Sequence, residues 1–375
     1  MQEQTRFSLG EARELMAERN IDVLIASSPE NVYYTTGCAI ITQRFIPSRL
    51  ELAVLPRDSD PMFIVATIEQ PQAEQESSIQ DIVGYTELQQ SPIHILADLL
   101  RQRGLERSCA AIENSHLVMG YSEELHNEIP GARFVDAVPL FDHMRRIKSV
   151  EEQRALAQAA VRTLASIEVA CLQTRAGDTE KQLARRVAHA LMDNGAIGVE
   201  FLIVAGGGRS SISHPFPTDF PLEPGTPVRF DIGARFGQYC ADIGQTAFVG
   251  EPGDELLSSF ERLAALLSDL FDHIRPGVKT SEVFQLYMRK LDEYGLYVDP
   301  GWAHMGHSIG LSVHELPMMA PLSEERFEEG MVMNIEPACH IGNYWYCIED
   351  CFRVTADGVE VFTKGTIPRP IIIKA

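Results

Sequence analysis

Short apolar runs bounded by turn residues fill the first part of the chain; long helical repeats followed by apolar strand runs fill the second. Ser8 and Glu11 have the spacing of a capping box and open a helix through about Arg19. The run VLIAS from Val23 predicts a strand, as do ELAVLP from Glu51, PMFIVA from Pro61 and CAAIE from Cys109. Helical patterns intervene at IHILADLLRQR from Ile93 and around SEELHNEI from Ser122. Strands alternating with helices describe a small α/β domain ending near Val138. The mixed, basic segment PLFDHMRRIKSV from Pro139 reads as a linker, so the expected domains are 1–145 and 146–375.

After Ser149 the periodicity changes. VEEQRALAQAAVRTLASIEVACLQ predicts a long amphipathic helix and TEKQLARRVAHALMDNG a second, with further helices expected at 253–273 and 280–294. The strand runs are VEFLIVAGG, VRFDIGARFGQYCADIGQTAFVG, GMVMNIEPACHI and YWYCIEDCFRVTADGVEVF. Most are joined by short turns rather than helical crossovers, which favours a largely antiparallel, curved sheet backed by helices. The whole chain is therefore expected to be α+β. The triple glycine at 206–208 lacks the context of a phosphate loop and suits a flexible rim or a close backbone approach.

Composition narrows the function. A length of 375 residues suits two domains. The formal charge of −21, with no basic tract to offset it, argues against a nucleic-acid partner. The N-terminal stretch has no apolar signal core and no run reaches membrane-spanning length, so a cytoplasmic protein without a membrane partner is expected. Seven cysteines without a CxxC pair favour reduced thiols, with Cys347 and Cys351 read as packing residues.

The chemistry lies in five residues of the second half: Asp231, Asp242, His307, Glu336 and Glu349. Asp231 and Asp242 flank the turn ARFGQY, and antiparallel pairing can bring them side by side. Each carboxylate interrupts an apolar run, where an unpaired charge would be costly to bury. Carboxylates converging on one pocket require cations, and oxygen ligands with one imidazole suit Mn²⁺, Co²⁺, Zn²⁺ or Fe²⁺. Two such ions can hold and ionise a water for hydrolysis of a stable C–N bond.

With this ordered Asp–Asp–His–Glu–Glu set, the chain resembles the creatinase/methionine-aminopeptidase superfamily of pita-bread metallopeptidases, which includes proline dipeptidase and aminopeptidase P. The resemblance covers about 150–370, and the smaller N-terminal domain resembles that of the creatinase-like members. It implies a dinuclear centre, manganese being the first choice. Asp231 would bind one ion, Asp242 and Glu349 would bridge, and His307 and Glu336 would bind the second. It also implies that Glu336 moves the proton, that His314 and His214 face the reacting carbonyl, and that His304 is a further pocket histidine. A homodimer acting on a short peptide or small molecule is expected. The family's usual arginines are absent at Gln245 and Cys347, so the alternatives are an Xaa-Pro peptidase, a creatinase- or ectoine-hydrolase-like amide or amidine hydrolase, a C–S lyase, or a non-catalytic interaction protein. Arg44 and Arg49 are candidates for recognising substrate charge.

Overall fold

The computed structural model describes residues 7–46, 48–363 and 369–375. Residues 1–6, the beginning of the stretch read for an export signal, lie outside them. The chain divides into two compact units, Met1–Arg145 and Arg146–Ala375.

In the first unit, strands β1 (Val23–Ala26), β2 (Leu52–Pro56), β3 (Met62–Ala66), β4 (Asp81–Tyr85), β5 (Cys109–Ile112) and β6 (Arg133–Asp136) form one sheet in the order β4-β3-β2-β1-β5-β6. β2 is antiparallel to both neighbours and the other pairs are parallel. The four inner strands are buried along their whole length, which is why they read as continuous apolar runs. The edge strands β4 and β6 are half-exposed and carry too little apolar signal to be found from sequence.

Helices α1 (Leu9–Glu18), α2 (Pro29–Thr36), α3 (Thr42–Phe45), α4 (Gln70–Glu76), α5 (Pro92–Gln102) and α6 (Met119–Glu128) accompany this sheet. α2, PENVYYTT, is rich in aromatic and β-branched residues that disfavour helix. It is held by tertiary bonds: the buried Glu113 carboxylate accepts from the Ser27 amide (2.5 Å), the Ser28 amide (2.8 Å) and Asn31 Nδ2 (2.7 Å). The segment read as a linker is mostly helix, α7 (Val138–Arg146), because Leu140, Phe141 and Met144 fall on one buried face.

The second unit continues with α8 (Val150–Leu172), α9 (Glu180–Asp193), β7 (Gly198–Gly206), a 3₁₀ turn at Gly207–Ser211, β8 (Pro227–Phe236) and β9 (Tyr239–Val249). Then follow α10 (Asp254–His273), α11 (Thr280–Tyr294), β10 (Gly306–Ser308), β11 (Glu315–Met318), β12 (Val332–Ile335), β13 (Ala338–Ile341), β14 (Tyr344–Cys347), β15 (Asp350–Val354), β16 (Val359–Val361) and β17 (Ile371–Ile373). Hydrogen bonding groups the strands as β17-β9-β8-β7, β11-β10-β12-β15-β16 and the hairpin β13-β14. Every pair is antiparallel except β17 on β9. α10 and α11 share one apolar core with strand residues such as Phe248, Met333 and Phe352.

α8 corrects one expectation: by length and composition alone it could cross a membrane. Its face bearing Leu156, Ala159, Ala160, Leu164, Ile167 and Ala170 is buried, and the helix packs on α9, β8 and β9 as a core helix. Its start is a complete capping box in which Ser149 accepts from the Glu152 amide and Glu152 accepts from the Ser149 amide. The other Glu152 oxygen accepts from the Tyr239 hydroxyl at 3.0 Å, tying the helix to β9. Ser149→Ala should therefore cost about 1 kcal/mol. Glu152→Ala should cost more, since it also removes the hydrogen bond from the buried Tyr239 hydroxyl. Calorimetric unfolding of the two variants checks that order; equal losses would contradict it.

Candidate active site

Pairing of β8 with β9 sets Asp231 opposite Gly244 and Gly233 opposite Asp242. The two aspartates are thus diagonal neighbours on one face of the hairpin. Their nearest cross-strand positions are glycines, and for Gly244 the reason is visible. A methyl group there would lie 2.7 Å from Glu349 Cβ and 2.8 Å from Glu349 Oε2. Glycine leaves the space into which Glu349 reaches, and the Glu349 amide donates to the Gly244 carbonyl at 2.8 Å. One ligand-type oxygen from each of Asp231, Asp242 and Glu349 lies within 4.8 Å of the others.

The second sheet supplies the nitrogen donors. On β10, His307 pairs with Asn334 of β12. Its Nδ1 faces the Ser308 carbonyl at 3.0 Å, so a proton there leaves the Nε2 lone pair directed into the pocket. His307 Nε2 is 3.6 Å from Asp242 Oδ2 and 4.0 Å from Glu336 Oε1. His314 stacks on His307 with ring centroids 3.9 Å apart, and Asp242, His307 and His314 form a second group of donor atoms within 4.8 Å. Asp242 belongs to both groups. His304 Nδ1 is 3.1 Å from Glu336 Oε1, although neither atom has a partner of hydrogen-bonding geometry. His214 lies on the exposed rim after the 3₁₀ turn, near enough for its charge to act on Asp231 and His314.

Electrostatics mark the pocket as one that lacks positive charge. Burial pushes the Asp231 carboxyl up to about 6, opposed by the Arg229 guanidinium and reinforced by Glu336. Asp242 and Glu349 are held well above the carboxylate range, first by burial and then by the surrounding carboxylates. Burial lowers His307 to about 4, which keeps the imidazole neutral and able to donate a lone pair. His314 is also lowered by burial, whereas Glu336 raises His304. Asp242 Oδ1 and Glu336 Oε1 are buried without a hydrogen-bond partner. Converging carboxylate oxygens with unused lone pairs beside a neutral imidazole fit divalent cations of the Mn²⁺–Zn²⁺ group.

Sequence reasoning missed three residues around this pocket. Asn334 donates to the Asp242 carbonyl and to Glu349 Oε1, each at 2.8 Å, and fixes one carboxylate relative to the other. Its signal was present as the one amide in the apolar run MVMNIEPA. Gly244 had no signal without knowledge of what approaches it. Arg229, buried two residues before Asp231, donates to the Ile212 and Ser213 carbonyls and anchors the rim that carries His214. By contrast, Arg44 and Arg49 are engaged within the first unit, Arg44 with Glu30 at 2.5 Å and Arg49 with Glu69 and Glu87.

A family model for metallopeptidase family M24 matches residues 151–356, more than half of the chain, including every pocket residue described above. The chain belongs to this family. It is a metal-dependent hydrolase with the pita-bread fold. The creatinase/prolidase N-terminal domain matches residues 9–147. Among similar proteins, the Xaa-Pro dipeptidase of Pyrococcus horikoshii is 28% identical, the alignment covering 94% of this chain and 95% of that protein. The Xaa-Pro dipeptidase of Lactobacillus delbrueckii subsp. lactis is 26% identical over 95% and 96%, respectively. The crystal structure of the prolidase from Pyrococcus horikoshii superposes with a TM-score of 0.84 at 26% identity, covering 97% of this chain and 99% of that one.

Two outcomes follow from the pocket. Gly244→Ala should displace Glu349 and weaken Mn²⁺ binding at least about tenfold, since ligand displacement is sensed at that scale; unchanged affinity in a calorimetric titration would show that the close approach is unimportant. The second concerns pH. The raised Asp231 pKa means that the folded, metal-free protein binds more protons than the unfolded chain, so this group's stability contribution is present below about 4 and lost as pH rises to about 6. Metal-free Asp231→Asn should therefore melt higher than metal-free wild type at pH 7, with the gap closing at pH 4. A gap that widens on acidification would reverse the sign.

Proposed function

We propose that the chain is a dinuclear-metal dipeptidase of the Xaa-Pro type. The observation that supports this reading most is the place of Asp242, between the Asp231 and Glu349 carboxylates and the His307 imidazole, in a chain aligned almost end to end with proteins called Xaa-Pro dipeptidase. Asp231, Asp242 and Glu349 would hold one ion; Asp242, Glu349, His307 and Glu336 would hold the other. When bound, such ions supply Lewis acidity and a water acidified enough to attack a carbonyl at neutral pH. Manganese is the proposed metal.

The protein's own groups would complete the reaction. Glu336, with its buried unpartnered Oε1, accepts the proton of the attacking water and returns it to the departing nitrogen. His304, raised by its proximity to Glu336, steadies that carboxylate through the transfer. A neutral His314, exposed at the pocket mouth, donates an N–H to the carbonyl oxygen as charge develops there, with His214 approaching from the rim.

One observation favours a second reading, a small-molecule amide or amidine hydrolase. Cys347, at a position where the family usually has arginine, faces the carboxylate pocket, its Sγ 3.0 Å from where a methyl on Gly244 would be. Burial keeps its thiol protonated, so it brings no charge for a peptide carboxylate. Gln245 bears on the question less, because alternation along β9 turns it to the face opposite Asp242. The proposal also includes a homodimer, favoured by exposed Ile41, Phe45 and Ile68 in the first unit, and a reducing, cytoplasmic setting, favoured by seven free cysteines.

The deciding experiment is a turnover panel with Mn²⁺-loaded protein on Leu-Pro, Leu-Pro-Gly, creatine and an N-acetylated diamine. Cleavage of Leu-Pro at least about tenfold faster than the others supports the dipeptidase. Slow Leu-Pro cleavage beside rapid turnover of either small compound selects the second reading. In either case Glu336→Gln should lower kcat by about 10²-fold or more; a near-wild-type rate would remove Glu336 from the proton path.

A further inference from the structure

Beneath the two stacked histidines lies a buried ion pair that the reaction does not use. Lys148, 4% exposed and just before α8, places Nζ 3.1 Å from Glu315 Oε2 and 2.8 Å from Ser308 Oγ. Both side chains of the pair are at most 7% exposed. Burying two charges is expensive, and an apolar pair of equal volume commonly serves stability as well or better. Stability alone therefore does not explain why a lysine and a glutamate occupy these places.

Their location suggests what does. Ser308 and Glu315 are cross-strand partners in the β10–β11 pairing, at the point where its register shifts between His307 and Ser308. His307 immediately precedes one partner and His314 immediately precedes the other. In β10 adjacent residues point to opposite faces, so a hold on Ser308 sets the face of His307; His314 lies in the bend just before β11, so a hold on Glu315 fixes where that bend enters the strand. A slip of one residue in β10 would turn His307 away from the pocket. The remaining bonds reinforce the hold: Ser308 Oγ donates to the Val332 carbonyl at 3.1 Å, and the Ser312 amide donates to Glu315 Oε1 at 3.1 Å. Gly310 leaves room for the Glu315 carboxylate, which would lie 2.5 Å from a methyl group there. The whole 308–315 turn is thus gathered around one carboxylate, and Lys148 ties that carboxylate to the strand carrying His307.

We propose that Lys148, acting through Glu315 and Ser308, is the positioning residue that fixes the β10–β11 register and thereby holds His307 and His314 together at the metal pocket. The proposal rests on the metal-centre reading and not on the identity of the substrate. Lys148 touches neither substrate nor metal; its effect passes through the hairpin.

The test separates positioning from stability by comparing Lys148→Met, the double variant Lys148→Met with Glu315→Leu, and Glu315→Gln. The single lysine variant takes away the positive partner of the Glu315 carboxylate and should lower both the melting temperature and Mn²⁺ affinity. The double variant removes both charges and should recover most of the melting temperature, yet still bind Mn²⁺ about tenfold more weakly than wild type in calorimetric titration. On whichever panel substrate wild type cleaves, its kcat should fall at least tenfold while KM stays within about twofold. Recovery of wild-type Mn²⁺ affinity and kcat together with stability would overturn the proposal and leave the pair a packing feature. If the double variant does not fold, Glu315→Gln decides: it keeps the shape and the acceptor for Ser312 but loses the charge that holds Lys148. Weakened Mn²⁺ binding in this variant supports the clamp, and wild-type binding overturns it. Mn²⁺ affinity is read without substrate, so a wrong assignment of the peptide reaction would leave the outcome unchanged.

Discussion

Mutual repulsion among Asp231, Asp242 and Glu349 is the constraint around which the second unit is organised. Their oxygens lie within 4.8 Å of one another, and burial pushes all three toward the protonated form. Without cations the protein must either protonate these groups or tolerate repelling charges in a medium of low polarity. The surrounding elements are arranged to impose this cost: a hairpin with glycines opposite the aspartates, a strand delivering Glu349 into the space above Gly244, and Asn334 tying Glu349 to the backbone of Asp242. Bound divalent ions convert the same arrangement from a liability into a source of folding free energy.

The two sheets have different duties in this arrangement. The β8–β9 hairpin, buried nearly throughout, brings the aspartates together with little freedom. The β10–β12 region supplies the histidines and Glu336, and here the groups are more exposed and more varied in charge. His307 is buried and neutral, His314 is open to solvent, and Glu336 raises His304. Asp242, Glu349 and His307 are thus enclosed, while Glu336, His304 and His314 stand nearer the mouth. Specificity is a separate matter from this framework. Cys347 faces the pocket without charge, and Arg44 and Arg49 are occupied by glutamates of their own unit.

Much of this was legible in the residues themselves. α8 and α9 announce their starts with complete capping boxes, and carboxylates interrupting apolar runs pointed to a buried polar site. The edge strands β4 and β6 were not legible because half-exposed strands lose the apolar run, and α2 was not because Glu113, far away in sequence, holds a segment of poor helix formers. The linker reading failed at α7, whose apolar positions are few but fall on one face. Within the site, residue types and order suggested the donors, yet Gly244, Arg229 and Lys148 act through space: each matters because of what the fold brings beside it, and no local pattern carries that information.

The most direct measurement of the central claim is metal content. Wild-type protein and Asp242→Ala, each equilibrated with Mn²⁺ and freed of excess, should be compared by elemental analysis alongside their melting temperatures. Asp242 belongs to both donor groups, so the account predicts about two ions per chain in wild type and less than one in the variant, because neither group is complete without it. A variant that retains two ions, or a wild type that hydrolyses its substrate at full rate with none, would contradict it.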